Sequence, residues 1–171
     1  SDVEEHRKAM ERAIAANPDA THRIVLLHKS LYSSADHALD EDVLELRAGL
    51  GPAFDELEID DVLMGHDHVY VRTYQMEGNQ VVGEITYNEE GAAVNPDGTV
   101  YLTGNSASDS KYYEMREPSV YERYSAVALQ LEEPTYMNVE VTDDSLTFTT
   151  YKVSNLSVVD AYSIVKTVGE E

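Results

Sequence analysis

Apolar and polar positions follow two different rhythms along this chain. Residues 3–16, VEEHRKAMERAIAA, carry Val3, Met10, Ala13 and Ile14 at helical spacing among charged residues, which predicts an amphipathic helix. Asn17-Pro18 ends it, because proline disfavours helical geometry in the residue before it. Ile24-Val25-Leu26-Leu27 is a short unbroken apolar run, the pattern of a strand buried on both faces of a parallel sheet. Residues 41–58 return to the helical period through Val43, Leu44, Leu46, Leu50, Phe54 and Leu57, with a break expected at Gly51-Pro52. Val62-Leu63-Met64 is a second buried run, so the first 75 residues read α-β-α-β.

Beyond that point the period changes to two. Residues 69–76 and 80–87 alternate around Gly78-Asn79, a hairpin signal. Residues 88–98 read as a loop, 99–103 as a strand, and 104–118 as irregular. Four β-rich stretches follow, at 125–131, 135–142, 145–153 and 158–166, and predict an antiparallel meander. The fold class is therefore α/β: an α-β-α-β segment followed by a β-meander. The length of 171 residues fits one domain. Residues 1–75 form its α/β part and 76–171 its mainly β part.

Charge and composition narrow the function. Asp+Glu total 33 against 12 Lys+Arg, a formal charge of −21. That excludes a charge-driven grip on nucleic acid or an anionic membrane surface, since nothing would neutralise a run of phosphates. Cysteine is absent, which excludes thiolate metal sites and a cysteine nucleophile. No apolar run approaches the roughly 20 residues of a membrane span. The chain opens on Ser1-Asp2 without an initiator Met and enters helical sequence at once, the pattern expected of an internal or processed boundary.

The residues that carry chemistry follow the two buried runs. The first run ends in His28, and the second in Gly65-His66-Asp67-His68. Ligands of open α/β sheets collect at the carboxyl ends of the strands, and adjacent strands lie about 4.8 Å apart. Imidazoles from both runs can therefore converge on one ion or an ion pair. Gly65 is expected to permit the sharp exit from the strand, and Asp67 to orient a ligand from behind. His6 and His22 are read as surface residues, one on the polar side of the first helix and one in a loop.

RIVLLHKSLYSS followed by DDVLMGHDHVYVRT closely resembles the calcineurin-like metallophosphoesterases, in particular the purple-acid-phosphatase-like branch. Tyr70-x-Arg72 matches the aromatic-x-Arg after that branch's Gly-His-x-His. GTVYLTGNSASDSKYY and the closing strands from SAVALQLE to VVDAYSIVK are similar to its later segments.

The resemblance implies a dinuclear metal centre that hydrolyses phosphate mono- or diesters. It implies the C-terminal half of the family's αββα sandwich. His28 and His66 would bind one metal and His68 the other, with Fe, Zn or Mn as candidate ions. His37 would contact phosphate or protonate the leaving group, a role that suits an imidazole. Asp67, Tyr70, Arg72 and Asn105 are candidates for substrate contact or for support of the ligands, and Tyr112-Tyr113 for lining the groove.

The family's Asp-x-His, Gly-Asp-x-x-Asp and Gly-Asn-His motifs have no counterpart before His28. The chain is therefore expected to be inactive alone, to need the missing N-terminal half, and to pair with another copy through the surface that half would cover. Family members are commonly exported, so a secreted or cell-surface location is expected. The alternative is a non-catalytic interaction module that keeps the fold and the histidines.

Overall fold

The computed structural model describes residues 2–167. The chain runs α1 (Asp2–Ala16), β1 (Ile24–Leu26), a 3-10 turn (Asp36–Leu39), α2 (Glu41–Glu56), β2 (Asp61–Met64) and β3 (Tyr70–Thr73). It continues through β4 (Met76–Glu77), β5 (Gln80–Val81), β6 (Ala93–Val94) and β7 (Val100–Thr103). It ends in β8 (Ser125–Leu129), β9 (Thr135–Val141), β10 (Ser145–Lys152) and β11 (Val158–Val165).

A five-stranded sheet has the order β1-β2-β7-β3-β8. β1, β2 and β7 are parallel, while β3 runs antiparallel to both β7 and β8. A four-stranded sheet, β6-β11-β10-β9, packs against it. Tyr70, Val100 and Leu102 of the first sheet meet Leu146, Phe148 and Ile164 of the second in one buried cluster. The other face of the first sheet carries a second cluster, in which Val62, Met64 and Tyr101 meet Leu50 and Phe54 of α2, with Val3 and Met10 of α1 against it. The result is three layers, helices on sheet on sheet, which agrees with the α/β half-sandwich that the resemblance implies.

Several local expectations change. The Ile24–Leu27 run forms a strand of three residues at the sheet edge, and Leu26 is 80% exposed. A run of four apolar residues marks a strand that wants cover on both faces; it does not say that the cover is present. α2 passes through Gly51-Pro52 without a break. Leu50, Ala53 and Phe54 are buried on either side of Pro52, and Ala48 is exposed, so water can serve the carbonyl that proline leaves without a donor.

The hairpin at Gly78-Asn79 forms, with φ of 57° and 59°. Positive values at both positions are what a tight two-residue turn requires. Its strands are only two residues each, and residues 82–87 lie outside them. β6 appears within the expected 88–98 loop, beside β11. β8 leaves the expected meander for the first sheet; β9, β10 and β11 alone form it.

Candidate metal centre

The candidate site lies where β1 and β2 end. Their register pairs Leu26 with Leu63, so both chains leave the sheet side by side. The Gly65 N–H donates to the His28 carbonyl at 3.1 Å and ties the two exits together. The turn itself does not rest on glycine, as the sequence suggested. Gly65 is absent from the positive-φ positions, and a Cβ there would meet only the His28 oxygen at an ordinary 3.8 Å. The unusual backbone sits on His66 (φ 74°) and His68 (φ 46°) instead. The Asp67 N–H donates to the Gly65 carbonyl at 2.9 Å across His66, the bonding pattern of a rare, strained γ-turn. Left-handed geometry costs a non-glycine residue about 1–2 kcal/mol, and such strain clusters at functional sites.

That turn sorts the three side chains. His66 and His68 remain part-exposed, while Asp67 points inward and is fully buried. Neither Asp67 carboxylate oxygen has a hydrogen-bond partner. A buried carboxylate in this state carries an uncompensated desolvation cost. Its nearest cationic candidate is His37, whose Nε2 is 3.9 Å from Asp67 Oδ1. His37 is delivered by the 3-10 turn, and its Nδ1 lies 2.8 Å from Asp40 Oδ2. Asp40 is the residue before α2, yet its carboxylate makes no capping bond. It orients His37 instead, which directs Nε2 toward the site.

His66 joins the two histidine groups. Its ring lies 4.6 Å from that of His37, and its Nδ1 is 3.1 Å from His28 Nε2. Two imidazole nitrogens bound to one ion at about 2.0–2.1 Å would stand roughly 2.8–3.4 Å apart. The observed pair falls in that interval. Burial lowers the His66 pKa, and His37 lowers it further, which favours the neutral form that ligates metals. His37, His66 and Asp67 offer ligand atoms that all lie within 4.8 Å of one another. The donor set of imidazoles and one unpartnered carboxylate fits a transition-metal cation.

The other residues named from sequence lie elsewhere. The His68 ring stands edge-on to Tyr113 at 5.4 Å, and its Nδ1 contacts the Lys111 carbonyl. Tyr113 also meets the His37 ring at 5.3 Å, so it flanks both imidazoles. Tyr112 reaches back toward the Ser108 carbonyl. Tyr70 and Arg72 are engaged by Asp160 of β11: the Tyr70 hydroxyl and Arg72 Nε both donate to Oδ2 at 2.7 Å. They tie the two sheets together. Burial, then Asp160, raises the Tyr70 pKa. Asn105 Nδ2 donates to the Glu133 carbonyl at 2.9 Å. His6 is exposed, whereas His22 is part-buried with Nε2 3.1 Å from the Thr142 carbonyl.

Sequence reasoning missed Asp40 and understated Asp67. The Asp40 signal was present, since an acid three residues from His37 lies within reach across one turn. For Asp67 no local pattern announces an inward side chain; it follows from the left-handed His66.

No protein-family model matches the chain, and no curated protein sequence matches it. Solved structures do. The chain is similar to the purple acid phosphatase PPD1 isolated from yellow lupin (Lupinus luteus) seeds, with a TM-score of 0.62 and 22% identity. That match covers 84% of this chain and 24% of the lupin protein. GAP50, the anchor in the inner membrane complex of Plasmodium, matches with a TM-score of 0.59 and 14% identity, over 96% of this chain and 44% of that one. The chain thus spans less than half the length of either structure. No helix among the described residues is long and apolar enough to cross a membrane. With the three-layer arrangement and histidines at the carboxyl ends of its parallel strands, the chain has the calcineurin-like metallophosphoesterase fold.

Proposed function

We propose that this chain supplies one side of a dinuclear metal centre in a phosphoesterase that hydrolyses phosphate mono- or diesters. The observation that carries the reading is the convergence of His28, His37, His66 and the buried, unpartnered Asp67 at one sheet edge. When bound, a pair of cations polarises a phosphoryl group and activates water for in-line attack. His28 and His66 are assigned to one ion and His68 to the other, and the ions are Fe, Zn or Mn. Asp67 adds negative charge that favours cation binding. His37, held at Nδ1 by Asp40, presents Nε2 to hold or deliver a proton at the leaving oxygen. Tyr113 flanks His37 and His68 and bounds the space beside them.

These residues do not complete a two-metal ligand set. The remaining ligands are assigned to a further part of a phosphoesterase domain, which would also cover the exposed edge of β1. In the chain alone, that edge is expected to pair with a second copy. A secreted or cell-surface location suits this class of enzyme.

Metal-dependent hydrolysis of p-nitrophenyl phosphate tests the reading. The whole domain is expected to turn over and to lose activity on His66→Ala, while the 171-residue chain alone is expected to be inactive. Turnover by the isolated chain, or none by a whole domain loaded with Fe, Zn and Mn, contradicts it. The likeness to GAP50, an anchor by its description, supports the second reading, a non-catalytic module on the same fold. A whole domain that folds but binds no metal would decide for it.

A further inference from the structure

α2, the segment after β1 and the β4–β5 hairpin enclose a cavity of about 320 Å³ that shares no lining residue with the metal centre. Tyr32, Tyr101, Arg47 and Arg123 line it, with Asp55 and Met76. Arg47 is only 6% exposed. Its Nε donates to the Leu31 carbonyl at 2.6 Å, its guanidinium lies 4.4 Å from the Tyr32 ring centre, and its Nη2 has no partner. The Arg123 guanidinium lies 5.7 Å from the Tyr124 ring centre. Among the described residues, neither guanidinium belongs to an ion pair.

Among the described residues Arg12, Lys111 and Arg116 likewise form no ion pair, but of these five cations Arg47 alone is buried. Arg72, part-buried on β3, is by contrast held by two bonds to Asp160. The Leu31 carbonyl and the Tyr32 ring offset the desolvation of Arg47 only in part, because neither supplies a counter-charge. Burial accordingly lowers the Arg47 pKa. Asp55 does not supply the missing charge. Its Oδ2 accepts the Gly78 N–H at 3.0 Å, and two guanidiniums against one carboxylate leave the cavity net positive.

We propose that this cavity binds a small organic anion, a carboxylate on a flat apolar ring. The carboxylate takes Arg47 and Arg123, the pairing for which a guanidinium fork is suited. The ring lies against Tyr32, Tyr101 and Met76. The volume matches the small end of known ligand sites, which are mostly apolar with a few fixed polar groups.

Benzoate is the probe, with benzyl alcohol as its uncharged counterpart, followed by amide ¹H–¹⁵N shifts on the purified protein. Benzoate is expected to move Ala48, Gly51, Gly78 and Asn79 saturably, and to bind at least tenfold more tightly than benzyl alcohol. Arg123→Met, at an exposed side chain, is expected to weaken benzoate at least fivefold with the spectrum otherwise intact. Ala48→Phe, which fills the cavity from its exposed side, is expected to abolish binding. Equal affinity for benzyl alcohol, shifts confined to the histidine edge, the absence of saturation, or unchanged affinity in Arg123→Met would each overturn the proposal.

Discussion

Asp67→Asn separates a functional carboxylate from a structural one. The native carboxylate is fully buried, and both its oxygens lack hydrogen-bond partners. Leaving a buried polar group unsatisfied costs about 1–3 kcal/mol, and more when it is charged. The asparagine side chain has nearly the same shape and no charge. In metal-free protein the substitution should therefore stabilise by about 1–3 kcal/mol, or roughly 2–10 °C in Tm for a domain of this size. With metal that gain shrinks. A cation held at 100 times its dissociation constant stabilises by about 2.7 kcal/mol, and a tenfold loss of affinity removes about 1.4 kcal/mol of that. The assay is thermal melting followed by circular dichroism, in chelator and in a zinc series. The reasoning fails if the metal-free variant melts lower than the parent, since Asp67 would then be holding structure. It fails equally if zinc raises both Tm values by the same amount.

Three other outcomes are expected. Asp61 is fully buried without a hydrogen-bond partner, and burial, with Asp60 second, raises its pKa well above the ordinary carboxylate value. Folding thus takes up a proton, so stability is highest below the unfolded value and is lost as pH rises toward the folded one. Asp61→Asn should match the parent near pH 4 and melt higher than it at pH 8; a difference in Tm that does not change with pH contradicts this. Gly98 has φ +79°, and a Cβ there would lie 2.6 Å from the Met76 carbonyl oxygen, so Gly98→Ala should destabilise by more than about 1 kcal/mol in urea unfolding. Leu26→Lys, on the exposed β1 edge, should reduce self-association in light scattering at high concentration; a parent that is already monomeric there removes the premise.

The positions of the first helices and strands were legible because burial on one face writes a period into the sequence. Val43, Leu50 and Phe54 do so for α2, and Val62 and Met64 for β2. The pairing of the His28 and His66 segments was legible too, since two apolar runs that pair in parallel and end in histidine leave the sheet at the same edge. Sheet membership was not. β8 has the same β-rich pattern as β9 and β10, and only the tertiary pairing with β3 separates it from them. The interior of the site was also hidden. The inward turn of Asp67 depends on left-handed backbone at His66, a conformation that histidine's propensity does not announce. Arg47 was read only as a helix position, because its burial between Tyr32 and Tyr124 joins segments distant in sequence.

The histidine side-chain nitrogens give the most direct test of the metal centre. Long-range ¹H–¹⁵N spectra of the protein can be followed through a zinc titration, with His6 and His22 as internal controls. The account predicts saturable shifts at His28 Nε2 and His66 Nδ1, with His37 perturbed alongside them and both controls unmoved. Shifts at His6 or His22 alone, or saturation that leaves His28 and His66 unchanged, would contradict it.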